Sequence, residues 1–334
     1  MSSSLLPAGI AAAILISNLH PYEAVEPHMG TLFRIKLYAA NPAQAQRAFR
    51  AAFDRIAELD DILSDYKPDS ELNRLCKTAV HRPVKVSNDL LQIVSASEKL
   101  SEETNGAFDI TIGPVTHLWR TARDSNRLPD KEAMQKAEAR CGFRKLHIDR
   151  THRTATLDQA GMQLDAGGIA KGYAADEALA VLSKLDIHSA LVAASGDLAF
   201  SDAPPGQAGW KIGIDSLDRP DAGFTRVLLL SNGAVSTSGA SEQHLDANGI
   251  RYSHIIDPKT AKGLTRPIMV TIVARHGIDS DSLATAVSVL GAQKGLALVE
   301  RQLGVAALII GGEPGALRVI ESSRFRLLPE TRTE

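Results

Sequence analysis

The chain has 334 residues, 44% hydrophobic and 23% charged, with a net charge of −2; that length allows one large domain or two lobes around a substantial core. The balance lacks the basic footprint of a nucleic-acid binder, and 4% aromatic residues give no stacking platform for single strands. Cys76 and Cys141, the only cysteines, lie far apart without metal-ligand spacing, which excludes a cysteine zinc site and favours two buried thiols over a bridge.

In chain order, Leu5–Ser17 is an apolar run too short to span a bilayer. Its length suits a signal-peptide core, yet no Lys or Arg precedes it, so residues 1–25 read as a signal segment or as a packed N-terminal element. No other segment is expected to cross a membrane, and residues 26–334 read as one domain. Thr31–Ala39 alternates like a half-buried strand, and Pro42–Ser64 places Ala45, Phe49, Phe53, Ile56 and Leu59 at helical spacing behind a proline suited to the first helical position. Ser87 opens a second helix that runs towards Glu103 and stops at Asn105-Gly106; Lys131–Ala139 reads as a short surface helix. Strand-like pieces follow at LHID (146), TATLD (154) and MQLD (162). A helix is expected over Gly168–Leu185, then strands at ALVAAS (190), WKIGID (210), RVLLL (226), AVSTS (234), YSHIID (252) and MVTIVA (269). Asn232-Gly233 and Asn248-Gly249 read as hairpin turns, because both residue types tolerate positive φ. Helices over Asp281–Leu290 and Gln293–Leu303 precede the strands VAALII and ALRVIE. Hairpins mixed with helices predict an α+β protein rather than a doubly wound parallel sheet.

Asp165-Ala-Gly-Gly-Ile-Ala-Lys171 is the most informative stretch. An acid ends a strand, two glycines turn the chain, and a helix starts whose free N–H groups attract anions. Lys171 falls in the first turn, where a cation opposes the helix dipole; a ligand anion facing it would explain the choice, and a surface lysine is the plain alternative. Asp281 and Thr285 stand four apart, so their oxygens share a helix face and can meet one hard cation such as magnesium. The plain alternative is capping, with Asp279 or Ser280 at the N-cap and Asp281 in the first turn. His254, in an apolar strand before Asp257-Pro258, is either a half-buried strand residue or a proton acceptor.

The order of these blocks resembles the FAD:protein FMN transferase family, the ApbE or thiamine-biosynthesis-lipoprotein-like family. The matching elements are Met29-Gly-Thr31, Ser64-x-Tyr66 with Ser70-Glu-Leu72, Gly106-Ala-Phe-Asp109 and Asp165-x-Gly-Gly-Ile-Ala-Lys-Gly172. They continue through Thr237-Ser-Gly239, Ser253-His-Ile-Ile-Asp-Pro258 and Asp281-x-x-x-Thr285. The resemblance implies a single two-lobed α+β unit of mixed or antiparallel sheets with packed helices and FAD in the cleft. It implies flavin nucleotide contacts from Met29, Tyr66, Ala107, Phe108, Asp109, Asp165, Lys171 and Ile256. Magnesium is implied at the carbonyl of Gly168 with the side chains of Asp281 and Thr285.

The chain departs from the family pattern at three places. The usual Gly-Gly-Asp after the central strand is Ser195-Gly196-Asp197, the usual Gly after Asp-Pro-x-Thr is Ala261, and Ala240-Ser241 stand where an acid is common. The expected reaction moves FMN from FAD to a Ser or Thr hydroxyl of an acceptor protein and releases AMP. His254 is the candidate base and Asp257 its candidate orienting group. The expected acceptor is a redox-chain subunit with a Ser-Gly-Ala-Thr/Ser motif, and an exported or periplasmic location is expected. Ser238-Gly-Ala-Ser241 resembles that motif, so self-modification of Ser241 enters as a speculative reading. A magnesium-dependent FAD pyrophosphatase and a non-catalytic FAD carrier are the alternatives.

Overall fold

The computed structural model describes residues 19–214, 226–239, 243–313 and 316–331; the apolar run at 5–17 and Ser241 lie outside them. Eight strands form one sheet: β1 (His20–His28), β2 (Thr31–Ala39), β3 (Ala190–Ala194), β4 (Asp197–Phe200), β5 (Gly233–Gly239), β6 (Ile268–Ala274), β7 (Ala306–Glu313) and β8 (Ala316–Glu321). Their order across the sheet is their order along the chain, and every neighbouring pair is antiparallel. The rest of the described fold is therefore carried in the connections and at the termini. β6 is buried at every position because both faces of the sheet are covered. Ile268, Val270 and Ile272 face the main core, while Met269 and Val273 face a second one.

The helices are α1 (Pro42–Leu63), α2 (Glu71–Thr78), α3 (Asn88–Glu103), α4 (Gly113–Ser125), α5 (Lys131–Glu138), α6 (Ala170–Lys184) and α7 (Gly277–Arg301). The Asn41 side chain caps α1 by accepting from the Gln44 N–H, Pro42 sits in the first turn, and Ala45, Phe53, Ile56 and Leu59 are buried, as the spacing predicts. Ser87 caps α3 in the same way. α6 lies between α1 and α7. A Cβ at Gly172 would stand 2.0 Å from the Gly277 carbonyl oxygen, so only glycine lets α6 and α7 approach this closely.

Behind the sheet, Trp210–Ile214, Arg226–Leu230 and Glu330–Thr331 make a three-stranded sheet that closes the second core with Phe200, Leu308 and Phe325. A third cluster joins Trp119 and Val115 of α4 to Ala137 of α5 and to Leu245, Ile256 and Ala261. This smaller lobe faces the larger one across a cleft of about 720 Å³. The α+β architecture is as expected, and both cysteines are free thiols, although only Cys76 is fully buried.

Several local expectations are corrected. β1 starts at His20, inside the segment set apart as 1–25, and pairs along its length with β2. MQLD is no strand; Gln163 makes a single parallel bridge to Ile112. Asn248-Gly249 does join a two-residue hairpin, with φ of 53° and 74° and Ala247 opposite Ile250. Asn232-Gly233 does not, because the strands on either side belong to different sheets. The run YSHIID breaks at His254 between the ladders Ile250–Ser253 and Ile256–Asp257. The last two helices form as expected on either side of Gly291, where the backbone turns to φ 76° and ψ 174°, and the span α7 that holds them both starts earlier than expected, at Gly277. By length and composition alone α7 could cross a bilayer, but its helix is broken at Gly291. It is a core helix, packed on α6, β5 and β6.

Both departures from the family's glycines fall in the left-handed region, Ser195 at φ 58° and Ala261 at φ 52°. Each carries a Cβ where glycine would be unstrained. Ala261→Gly is expected to raise stability by up to about 1 kcal/mol, the left-handed strain less the entropy that glycine adds to the unfolded chain. Thermal unfolding reads this as a gain of about 2 °C. An unchanged or lower midpoint would show that the turn, anchored by the Trp119 indole N–H donating to the Ala261 carbonyl at 2.8 Å, holds alanine without strain.

Candidate active site

The Asp165–Gly168 turn is shaped from within: the Asp165 N–H donates to the Ile110 carbonyl at 2.7 Å, and the Gly167 N–H donates to Asp165 Oδ1 at 2.8 Å. α6 then begins with Ile169 at its N-cap and no side-chain cap from that residue; the Ala170 N–H donates back to the Ala166 carbonyl at 2.9 Å, so the turn itself takes up part of the helix end. A Cβ on Gly168 would lie 2.9 Å from Thr285 Oγ1, so the glycine backbone rests against the polar face of α7. Asp281 shares that face and is 4% exposed. Its Oδ2 accepts the Gly172 N–H at 3.0 Å.

Capping does not explain Asp281. The first N–H groups of α7, from Gly277 and Ile278, donate to the Asp176 carboxylate of α6 at 2.7 and 3.0 Å. Asp281 stands beyond this first turn and lines the cleft with Gly168, Thr285 and Asp197. A carboxylate and a hydroxyl thus line the cleft beside the Gly168 turn, and their oxygens are of the hard kind that magnesium takes. The close seat of Gly168 on Thr285 fits the proposed donor set.

Lys171 answers the charge of this wall. Its ammonium hydrogen-bonds Asp197 and lies 3.8 Å from Asp281 Oδ2. The cation at the wrong end of a helix is thus explained first by two protein carboxylates. Burial works against the lysine's charge, but Asp281 and Asp197 outweigh it and hold the pKa above its ordinary range. Burial also pushes the Asp281 carboxyl up, Asp197 adds to this, and Lys171 opposes it.

Across the cleft, Arg120 of α4 hydrogen-bonds Asp65 and donates to Asp165 Oδ2 at 3.0 Å, while its guanidinium lies 4.4 Å from the Tyr66 ring centre. Burial first, then Asp165, pushes the Asp65 carboxyl up to about 6 against the pull of Arg120. Tyr66 is 69% exposed at the cleft margin. Ala107, Phe108 and Ile256 contribute to the apolar part of the lining, with Leu63, Ile112, Ile255 and Met269 among others. Met29 reaches the cleft from the β1–β2 turn, where it adopts φ 48°. Asp109 also lines the cleft, yet both its oxygens are engaged: Oδ1 accepts from the Thr111 N–H and hydroxyl, and Oδ2 from the Phe143 N–H at 3.0 Å. Its carboxylate shapes the loop and leaves little capacity for a ligand.

His254 lines the cleft, but Asp257 does not orient it. Asp257 Oδ1 accepts the Lys259 N–H at 2.9 Å in the turn that follows. The partner of His254 is the Gln243 carbonyl, 3.2 Å from Nδ1 and also bonded by the His254 N–H at 3.0 Å. A carbonyl can only accept, so this contact assigns the proton of the neutral ring to Nδ1 and leaves Nε2 with a lone pair. Burial lowers the His254 pKa, with the charges of Arg123 and Lys171 adding to it. The ring is therefore neutral at neutral pH, as a base must be.

The sequence reading missed Asp197, Arg120, Asp65 and Gln243. Asp197 had a signal, an acid just past a strand turn. Arg120 sat in a helix that was not anticipated, and a backbone carbonyl leaves no mark on the residue type that carries it. The cleft lining carries Asp60, Asp65, Asp109, Asp165, Asp197 and Asp281 against Arg120, Arg123 and Lys171, an acidic surplus that a phosphorylated ligand enters most readily with a divalent cation.

A two-lobed α+β fold with braced cations and oxygen donors across one cleft defines an enzyme built for a phosphorylated ligand. The ApbE family model matches residues 29–309, and the chain belongs to the ApbE family. It is 34% identical over 309 residues to the FAD:protein FMN transferase of Treponema pallidum, covering 88% of this chain and 85% of that protein. The solved flavin transferase ApbE from Vibrio cholerae is similar at a TM-score of 0.84 and 28% identity, covering 93% of this chain and 99% of that one. The apo flavinyl transferase ApbE of Pseudomonas stutzeri gives 0.82 and 28%, covering 94% and 98%.

Proposed function

We propose that this chain transfers the FMN half of FAD to a Ser or Thr hydroxyl of an acceptor protein and releases AMP, with magnesium held by the Gly168 carbonyl, Asp281 and Thr285. The observation that carries the reading is the meeting of this oxygen set and a His254 with a free Nε2 in one cleft. When bound, magnesium would neutralise the pyrophosphate and draw charge from the reacting phosphorus. Lys171, fixed between Asp197 and Asp281, sets a permanent positive charge on the same wall. Tyr66, Phe108 and Ile256 offer surfaces to the flavin, and Met29, Ala107 and Asp165 complete its surroundings. His254 Nε2 takes the proton of the acceptor hydroxyl as that oxygen bonds to the FMN phosphorus. The bond to the AMP oxygen breaks, and AMP leaves with the electron pair.

In this reading the acceptor carries a Ser-Gly-Ala-Thr/Ser motif, belongs to a redox chain and meets the enzyme outside the cytoplasm. The test is intact-mass analysis of such an acceptor after incubation with the protein, FAD and magnesium. A gain of one FMN with one AMP released is expected. Free FMN and AMP with an unchanged acceptor would mean water replaces the hydroxyl, and an unconsumed FAD pool would mean a carrier.

A further inference from the structure

Arg120 ties together two segments of the cleft wall, and no motif of the sequence includes it. One terminal nitrogen bonds Asp65 in the segment after α1, and the other bonds Asp165 in the turn before α6, at 3.0 Å. The guanidinium also covers the Tyr66 ring at 4.4 Å. Arg120 is 20% exposed as a side chain, Asp65 18% and Asp165 8%, so the cluster is shielded and the carboxylates feel each other. Two separate stretches of chain thus depend on one guanidinium from a third. A terminal nitrogen and a flat face are needed for each contact, which a lysine ammonium cannot supply together.

We propose that Arg120 is a positioning residue that sets the flavin-nucleotide wall of the cleft, by holding Asp65 and Asp165 side by side and Tyr66 at the margin. Both terminal nitrogens are committed to protein, so its influence on FAD runs through Tyr66 and Asp165. The inference rests on the FAD reading above and adds the residue that organises that wall. The charged groups around Asp65 are Arg120 from α4 and Asp165 from the turn before α6; Tyr66 adjoins it on its own segment and also feels Arg123 of α4. Lys67 is turned away to Asp60 and Asp61. Without Arg120 the carboxylates of Asp65 and Asp165 repel, and a proton on Asp65 is the relief available to them.

The experiment measures FAD binding by flavin fluorescence between pH 6 and 8, alongside KM and kcat for transfer, on the full chain. Arg120→Met is expected to raise the Kd and KM for FAD at least tenfold at pH 8 with kcat within threefold of the unaltered protein. Its deficit in Kd, taken as a ratio to the unaltered protein at each pH, should shrink several-fold towards pH 6. Asp65→Asn added to Arg120→Met should remove that pH dependence and recover part of the affinity, while Arg120→Lys should show an intermediate loss. A merely structural arginine would give a loss independent of pH and untouched by Asp65→Asn, and that result overturns the proposal, as does FAD binding unchanged in Arg120→Met. If Arg120→Met fails to fold, Arg120→Lys with and without Asp65→Asn makes the same comparison. Absence of FAD binding by the unaltered protein would instead sink the functional reading.

Discussion

Asp281→Ala is expected to lower transfer by at least about a thousandfold, the scale on which phosphoryl transfer depends on neutralising charge at phosphorus. The unaltered protein in EDTA should lose activity to the same extent and recover it when magnesium is returned. The fold should survive, because Lys171 keeps its bond to Asp197, although Asp281 gives up the hydrogen bond from the Gly172 N–H and its pairing with Lys171. Asp281→Asn, which retains an acceptor for that N–H, should be as inactive as the alanine variant while unfolding closer to the unaltered protein. Full turnover in EDTA would take the metal out of the mechanism, and an inactive but misfolded Asp281→Asn would make the residue structural.

His254→Gln carries the second large effect. General-base help is worth about 10²–10⁴ in rate, so kcat should fall by that range while the Kd for FAD changes little. The sign of the pH dependence follows from the lowered pKa of the ring. The active form is the neutral imidazole, and burial keeps it neutral at pH values where an ordinary histidine has taken a proton. At saturating magnesium, the acid limb of the rate profile should therefore lie below about 6.5, and it should vanish in His254→Gln. An acid limb that stays in place in the variant would assign it to another group.

Much of this fold could be read from local rules. Asn41-Pro42 and Ser87 announce their helices through caps that act within three residues, and Asn248-Gly249 fixes its own hairpin because both residues adopt positive φ. Asn232-Gly233 carries the same signal and misleads, since the partner of β5 is chosen by the sheet, through β4 and β6, and not by the preceding turn. α4 starts with Gly113-Pro114, which reads as a break, and owes its stability to the third cluster, where Trp119 meets Ala261 far along the chain. β1 was hidden by Pro21 and Pro27 and by the apolar run before it.

The candidate site divides in the same way. Asp281 and Thr285 share a face by spacing alone, and their helix carries them as expected. Gly168 joins them from a remote turn, and only the family resemblance linked the two before the structure placed Gly168 on Thr285. The support of His254 lay beyond sequence reasoning altogether, because Gln243 contributes a backbone oxygen that any residue possesses.

The glycine contact between α6 and α7 also fixes when this protein can act. Gly168, in the turn that leads into α6, and Thr285 of α7 are brought together by the packing in which Gly172 touches Gly277, and the chain between them takes on the order of ten seconds to leave the ribosome. Until that stretch is made and docked, one half of the oxygen set has no counterpart. A growing chain therefore has no complete cleft, and the site exists only in the finished molecule.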